Sequence, residues 1–372
     1  MATGDALANA ISGLLAFQRG LSVTSHNISN VNTPGYSRQR VELTARTPTA
    51  FAGGFIGNGV QTTAIQRVYD DFLARQLQAG TSAQASLAAY HSFAARVDNL
   101  LGDPDAGLAP ALASFFGAVQ TVANDPSSLP ARQVLMSEAQ SLADRFHHLD
   151  QGLADTERNV NTFMRSTVAD INQYAAAIAD MNGQIVLARG QSGGQAPNDL
   201  LDQRDELVRK LSELVSVSTL AQDDGSINVF IGSGQTLVVG NQAQSLVAVA
   251  NEYDPTRYEI GYQAGAGSVN VTSQLSGGQL GGVLAFRAEV LDPARNALGR
   301  IALALSAQVN AQHALGQDLN GNLGAEFFLP IDASSPNAAA SSLNSGSGAV
   351  AVAVSNPNAL KTADYLLAYD GA

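Results

Sequence analysis

The 372 residues include no cysteine and no tryptophan, and only five histidines. Missing thiols exclude disulfides, thiolate zinc sites and cysteine nucleophiles together. Charge is scarce as well: Asp, Glu, Lys and Arg make up 14% of the chain, against ~25% in ordinary soluble domains. Within that charge 20 residues are basic and 32 acidic, a net −12. Such a chain has no surplus of cations to displace counterions from phosphates, so no nucleic acid is expected as a partner. No membrane insertion is expected either, because no stretch approaches the ~18 consecutive apolar residues that span a bilayer. The longest mostly apolar window, 301–309, is broken by Ser306 and Gln308. The opening Met1-Ala2-Thr3-Gly4-Asp5-Ala6-Leu7 also lacks the cationic start and apolar core of a secretory leader. With 45% hydrophobic residues and so little charge, the composition implies apolar or small-residue surface that partner subunits cover.

What the chain does have is periodicity. Leu7, Leu14, Leu21 and Ile28 recur every seventh residue, with Ile11 between them and Phe17 in a flanking row. The second seam position turns polar at Gln18 and Ser25. This narrow stripe suits a helix that packs on other helices; an ordinary core-facing helix fits the same spacing. The helix should end by Asn30, since Pro34 and Gly35 follow. Residues 36–64 read as extended, with a turn-rich stretch at 53–59. Its glycines lack the Lys-Ser/Thr and the strand-to-helix setting of a phosphate loop.

From 65 to 216 the spacing is helical. Leu87, Tyr90, Ala94, Val97 and Leu101 form one run, and Leu112, Phe116, Val119 and Val122 a second. A third, from Leu142 to Ile185, steps by three and four throughout, a reach that predicts a rod-like bundle. Leu200, Leu207, Leu211 and Leu214 predict one more helix. At Val217 the period falls to two. Ile227, Val229 and Ile231, a Gly-Ser-Gly turn, then Leu237 and Val239 read as a hairpin. Helical spacing returns over 279–315, where Asp292-Pro293 marks a kink or a fresh start. After Asp318 the pattern is β-like again, with Val350, Val352 and Val354 alternating. Asp370-Gly371 is a hairpin turn with one residue after it, which predicts a chain that stops in mid-structure.

The expected fold is mainly α with an inserted β-domain, an elongated multi-domain rod. Its parts are an N-terminal axial helix and linker over 1–61, and a long-helix rod domain over 62–216 plus 276–324. A small antiparallel β-domain fills 217–275 and a partial second β region 325–372.

No constellation reads as catalytic or metal-binding, and no cofactor is expected. Asp318, Asn320 and Asn322 match the first ligand positions of a calcium loop, but Leu323 and Leu329 stand where Gly and Glu belong. His147 and His148 are adjacent on a helix and diverge by about 100°. His26 beside Ser25 has the wrong spacing for a nucleophile–base pair. Asp199, Asp202, Asp205 and Glu206 near Arg204, Arg209 and Lys210 read as surface ion pairs. Asp223, Asp224, Glu252, Asp254 and Glu259 fall at loop-like positions of the β-domain.

The segment Asn27-Ile-Ser-Asn30-Val-Asn32-Thr33-Pro34-Gly35-Tyr36-Ser37-Arg38-Gln39 resembles the N-terminal signature of bacterial flagellar axial proteins. Rod and hook proteins share its Asn-Ile-x-Asn part. The continuation from Asn32 to Gln39 is similar specifically to the hook-associated protein 1 family, the hook–filament junction proteins. Asn198-Asp-Leu-Leu-Asp-Gln-Arg-Asp-Glu-Leu207, Ser276-Gly-Gly-Gln-Leu-Gly-Gly282 and Leu291-Asp-Pro-Ala-Arg-Asn-Ala-Leu298 resemble the same family. The resemblance implies a non-enzymatic subunit that forms a ring with its own copies. It implies contacts with the hook protein and with the second junction protein, and passage through the flagellar type III export apparatus to the cell exterior. It implies that the N-terminal helix pairs with a C-terminal helix of the same chain to form an inner tube, and it assigns Leu7, Ile11, Leu14, Phe17, Leu21 and Ile28 to that packing. The family's C-terminal axial helix and the returning half of its bundle are expected to be absent here. The family's export chaperone binds in that portion, so that partner is not carried over. Rival readings are a rod or hook-type subunit, or a flagellar scaffold whose β-domain is an enzyme or an adhesin.

Overall fold

The computed structural model describes residues 2–104, 107–265, 267–329, 339–344, 350, 352, 354 and 356–367. The chain opens with α1 (Ala2–Ser29). Strands β1 (Gln39–Ala45), β2 (Thr49–Phe51), β3 (Gly54–Ile56) and β4 (Val60–Arg67) follow; β1 pairs antiparallel with β4, and β2 with β3. Helices α2 (Asp71–Leu101), α3 (Leu108–Asn124), α4 (Leu129–Gln191) and α5 (Asn198–Leu214) come next. Strands β5 (Val217–Ala221), β6 (Ile227–Ile231), β7 (Gln235–Val239) and β8 (Gln242–Ala243) form an antiparallel sheet in that order. Strands β9 (Leu246–Ala250), β10 (Tyr258–Ala264) and β11 (Gly267–Asn270) form a second sheet with β10 in its centre. Then α6 (Gly278–Phe286) leads through a π-helical turn at Arg287–Leu291 into α7 (Asp292–Ala314).

The residues divide into two compact units. The first holds 1–86, 167–247 and 262–281, the second 87–166, 248–261 and 282–372, and α2 and α4 contribute to both. In the first unit, Ile171, Ile178 and Ile185 of α4, Val208 and Leu211 of α5, and Val229, Ile231 and Leu237 of the sheet are all buried. In the second, Phe115, Ala139 and Leu142 form a core against which Leu112, Phe146, Phe327 and Phe328 pack. The Phe93 and Phe163 rings meet edge-on 5.6 Å apart in the same unit.

Asparagine side chains of α4 hold the β segments by imitating a neighbouring strand. Asn182, fully buried, donates from Nδ2 to the carbonyls of Ile227 (2.8 Å) and Gly240 (2.6 Å), and its Oδ1 accepts from the Ile227 amide (3.1 Å). Asn172 forms the same two-way pair with the amide and carbonyl of Leu246, both at 2.8 Å. In the second unit Asn161 donates to the Thr256 carbonyl (2.6 Å) and accepts from the Tyr258 amide (3.1 Å). A primary amide has a donor and an acceptor side by side, so it pairs with backbone as a peptide group does.

Several expectations need correction. The α3 period is as read but its phase is not: Phe115 and Ala118 are buried, whereas Phe116 and Val119 are exposed. Two adjacent phenylalanines offer two apolar faces about 100° apart, and spacing does not choose between them. Glu259 is not in a loop but on β10, buried, with its carboxylate 3.3 Å from Arg287 and 3.1 Å from Arg257. The π turn carries the equally buried Arg287 into that pair. Asp292-Pro293 starts a fresh helix behind this turn. Asp318 accepts hydrogen bonds from the amides of Asn320 and Asn322, both at 2.8 Å, and is the hub of a turn. Beyond it the β character among the described residues is one bridge, Gln317 with Leu323; Val350, Val352 and Val354 lie in no strand. Asp370 and Gly371 lie outside the described residues.

Candidate assembly interface

Two opposite faces run along α1. Ser12, Ala16 and Val23 are buried, and α1 packs on β1 and β4. At about 100° per residue, Asn9, Ser12, Ala16, Val23 and Asn27 share one side of the helix. Small side chains there let the helix axis lie close to the strands. Leu7, Ile11, Leu14, Phe17, Leu21 and Ile28 fall on the other side, with exposures between 48% for Ile11 and 76% for Phe17. The spacing of these residues is compatible with either face; the hairpin takes the small one.

Both ends of the attachment are polar. At the N-terminal end, Asn9 Nδ2 donates to the Gly57 carbonyl (2.9 Å), and Ser12 Oγ accepts from the Val60 amide (3.2 Å). Gly59 adopts φ +84°, and a Cβ there would fall 2.1 Å from Ser12 Oγ. At the C-terminal end Asn27 is the hub. Its Oδ1 accepts from the Tyr36 hydroxyl and the Gln39 amide, both at 2.8 Å, while Nδ2 donates to the Gln39 carbonyl (2.9 Å). Asn30 Nδ2 caps the His26 carbonyl (3.0 Å), and its own carbonyl accepts from the Thr33 amide (2.9 Å). Asn32, Thr33, Pro34 and Arg38 are exposed, though the Thr33 hydroxyl donates to Asn30 Oδ1 at 3.2 Å. The Arg38 carbonyl accepts from the Val68 amide at 2.7 Å. Gly35, at φ +78°, passes so close to α5 that a Cβ would stand 2.8 Å from the Glu206 Cβ.

The turn docks on α5, which carries the second family-like segment. Ser37 donates its amide to Asp202 (2.8 Å), Gln39 Nε2 donates to Asp199 (2.7 Å), and His26 Nε2 lies 3.2 Å from the same Asp199 oxygen. Asn198 Nδ2 donates to the Ile65 carbonyl at 2.8 Å. Arg67, at the end of β4, bonds Asp202 (2.9 Å) and Asp205 (2.7 Å) and lies 4.1 Å from the centre of the Tyr69 ring. Burial first, and then the Asp205 charge, push the Tyr69 hydroxyl up to about 12. Burial also raises Tyr36, with Asp199 and Asp202 adding to the shift. Asp202 is therefore not in the surface pair expected: Asp202 and Arg204 are each 5% exposed, and Asp202 binds across to Arg67 rather than along its own helix. Arg209 does pair along the helix, with Glu206 (2.7 Å) and Glu213 (2.6 Å).

Sequence reasoning missed Asn9, Ser12, Gly59, Arg67 and Tyr69. The only local sign was Gly57-Asn58-Gly59, read as a turn but not as an attachment point. Among the described residues no group of three or more His, Asp or Glu is placed to hold a metal ion. The site can bind surfaces; its acids are already engaged by arginines and amides.

The family model described as the flagellar hook-associated protein FlgK helical domain matches residues 94–328, and that of the flagella basal body rod protein matches residues 7–36. Flagellar hook-associated protein 1 of Salmonella typhimurium is 40% identical over 368 residues, covering 98% of this chain and 66% of the relative. The Escherichia coli protein of that name is 37% identical, covering 97% of this chain and 66% of its own. The chain thus spans 66% of the length of these curated relatives. A solved structure of the flagellar hook junction protein FlgK from Burkholderia pseudomallei aligns with TM-score 0.71 at 39% identity. It covers 80% of this chain and 54% of that one.

Proposed function

Because the chain belongs to the flagellar hook-associated protein FlgK family, we propose that it is a structural subunit of the bacterial flagellum, placed at the junction of hook and filament. It polymerises with its own copies through the outward face of α1. Its neighbours are the hook protein on one side and the second junction protein on the other. It acts outside the cell after passage through the flagellar type III export apparatus, and it performs no catalysis.

The observation that carries this reading is the inverted packing of α1. A helix that turns Ser12 and Ala16 inward and leaves Leu7, Leu14, Phe17 and Leu21 in water keeps a large apolar face for another surface to cover. Each large apolar side chain that a neighbour covers contributes about 1.5–3 kcal/mol. The polar attachment at Asn9, Ser12 and Asn27 holds the face in one orientation, as repeated identical contacts require. The rod-protein likeness over 7–36 fits the same role, since that segment is α1 and the turn behind it.

The test is a Leu14→Asp, Leu21→Asp double substitution in the chromosomal gene. We expect secreted but unassembled protein and non-motile cells. Normal filaments and swimming would sink the reading.

A further inference from the structure

We propose that the cavity between α2 and the start of β5 binds inorganic phosphate. The site lies within the first compact unit and uses no surface of α1, so it stands apart from the assembly reading. The cavity measures about 150 Å³ and is lined by Arg75, Gln78 and Ser82 on the α2 side and by residues 216–219 on the other. That is room for a few waters or for one tetrahedral oxyanion.

No Asp or Glu lines it. In a chain of net charge −12, Arg75 forms no ion pair among the described residues, not even with Asp71 one turn earlier. Asp70 is already engaged by the amides of Phe72 (2.9 Å) and Leu73 (3.2 Å). Ser82 is 6% exposed, and its Oγ accepts from the Gly278 amide at 2.9 Å, which leaves the hydroxyl proton to give. Gly277, at φ +63°, threads between the two walls. A Cβ on it would stand 2.6 Å from Ser82 Oγ and 2.9 Å from the Ser216 Cβ. Its bare backbone therefore fixes the spacing of Ser82 and Ser216.

The opposite wall is an open strand edge, since β5 is the outer strand of its sheet. The Gly232 amide donates to the Ser216 carbonyl (3.2 Å), and Val217 stands opposite Ile231. Ladder bonds alternate along an antiparallel strand, so Ser218 and Leu220 turn their backbone to β6 while Val217 and Thr219 turn theirs outward. Each outward residue presents an N–H and a C=O. Phosphate at neutral pH matches that mixture. Its oxygens accept from Arg75, Ser82 and the strand amides, and its remaining P–O–H proton can go to a carbonyl. Sulfate has no such proton. A carboxylate has two coplanar oxygens, suited to a fork on one side rather than to donors from a helix and a strand together. Guanidinium and backbone N–H groups in a concavity are recurring phosphate ligands.

The test titrates the isotope-labelled full chain with sodium phosphate at fixed pH and ionic strength, with sodium sulfate and sodium acetate in parallel. We expect saturable shifts of the Val217 and Thr219 amide resonances with phosphate, and several-fold weaker binding of the other two anions. Arg75 is exposed, so Arg75→Gln should melt as the parent does without phosphate, and it should weaken phosphate binding at least about tenfold. Shifts that grow without saturating, or that Arg75→Gln leaves unchanged, mean an adventitious ion only and overturn the site. Sulfate or acetate saturating as tightly as phosphate overturns the choice of ligand.

Discussion

Substituting Arg67→Met tests whether the turn after α1 is held by charge. The guanidinium is 14% exposed and bonds two carboxylates, of which Asp202 is 6% exposed at its side chain and Asp205 20%. Methionine keeps the stem and removes the cation that both acids bond; Asp202 then retains the Ser37 amide, and Asp205 the Arg204 guanidinium at 3.7 Å. Removing one partner from a fully buried ion pair costs about 3–5 kcal/mol, and the wetter Asp205 lowers the figure here to about 2–4 kcal/mol. The effect is local, so native-state amide exchange reads it better than global melting. The informative amides are those of Gln39, which bonds Asn27, and Val68, which bonds the Arg38 carbonyl. About 3 kcal/mol corresponds to exchange on the order of a hundredfold faster. The triple variant Arg67→Met, Asp202→Asn, Asp205→Asn removes the stranded charges and should recover most of that loss. If Arg67→Met accelerates these amides less than about threefold, or the triple variant exchanges as fast as the single, the ion pairs do not hold the turn.

Tyr69, pushed up to about 12, should ionise well above the ordinary tyrosine value; the difference in ultraviolet absorbance between the parent and Tyr69→Phe during alkaline titration isolates it. Its raised folded-state value means that the stability it confers is complete below pH ~10, its ordinary unfolded value, and is lost between there and about 12. Asn182→Leu fills the same space but leaves the Ile227 amide and the Ile227 and Gly240 carbonyls short of a partner, so urea unfolding should show a loss of about 3–5 kcal/mol. Gly59→Ala combines φ +84° with a Cβ 2.1 Å from Ser12 Oγ. It should unfasten the hairpin from α1, seen as faster exchange of the Val60 amide with α4 exchange unchanged.

Much of the helical layout was legible in spacing because α4 keeps one buried face for many turns. Leu142, Leu149, Leu153, Val160, Ile171, Ile178 and Ile185 step by threes, fours or their sums, and each is buried. Its true start at Leu129 was hidden because Val134 and Met136 in the first turns are exposed and break the stripe. Phase was less legible than period, as Phe115 and Phe116 show. For α1 the spacing grouped the large residues on one side but held no information about which side meets the hairpin. The Asn27–Gln39 segment stood out as a unit. What it holds on to did not, because Asp199 and Asp202 come 160 and 165 residues later than the groups they bind. Hydrogen-bond partners at such separations leave no periodic trace.

The arrangement of α1 divides two tasks that a single apolar contact cannot perform together. Burying leucines against leucines supplies affinity, but the attraction is nearly indifferent to rotation and sliding along a helix. Hydrogen bonds to Asn9, Ser12 and Asn27 contribute little net energy each, yet they tolerate errors of only a few tenths of an ångström. Orientation therefore comes from within the subunit, through the hairpin and α5, and in the proposed assembly affinity comes from the face left bare. Had the leucines been turned toward the hairpin, the subunit would gain stability of its own and lose the surface through which we propose that copies join. The same logic accounts for the buried acids of α5. Asp202, held between Arg67 and the Ser37 amide, adds little to folding after its desolvation, but it admits only one placement of the turn from which α1 projects.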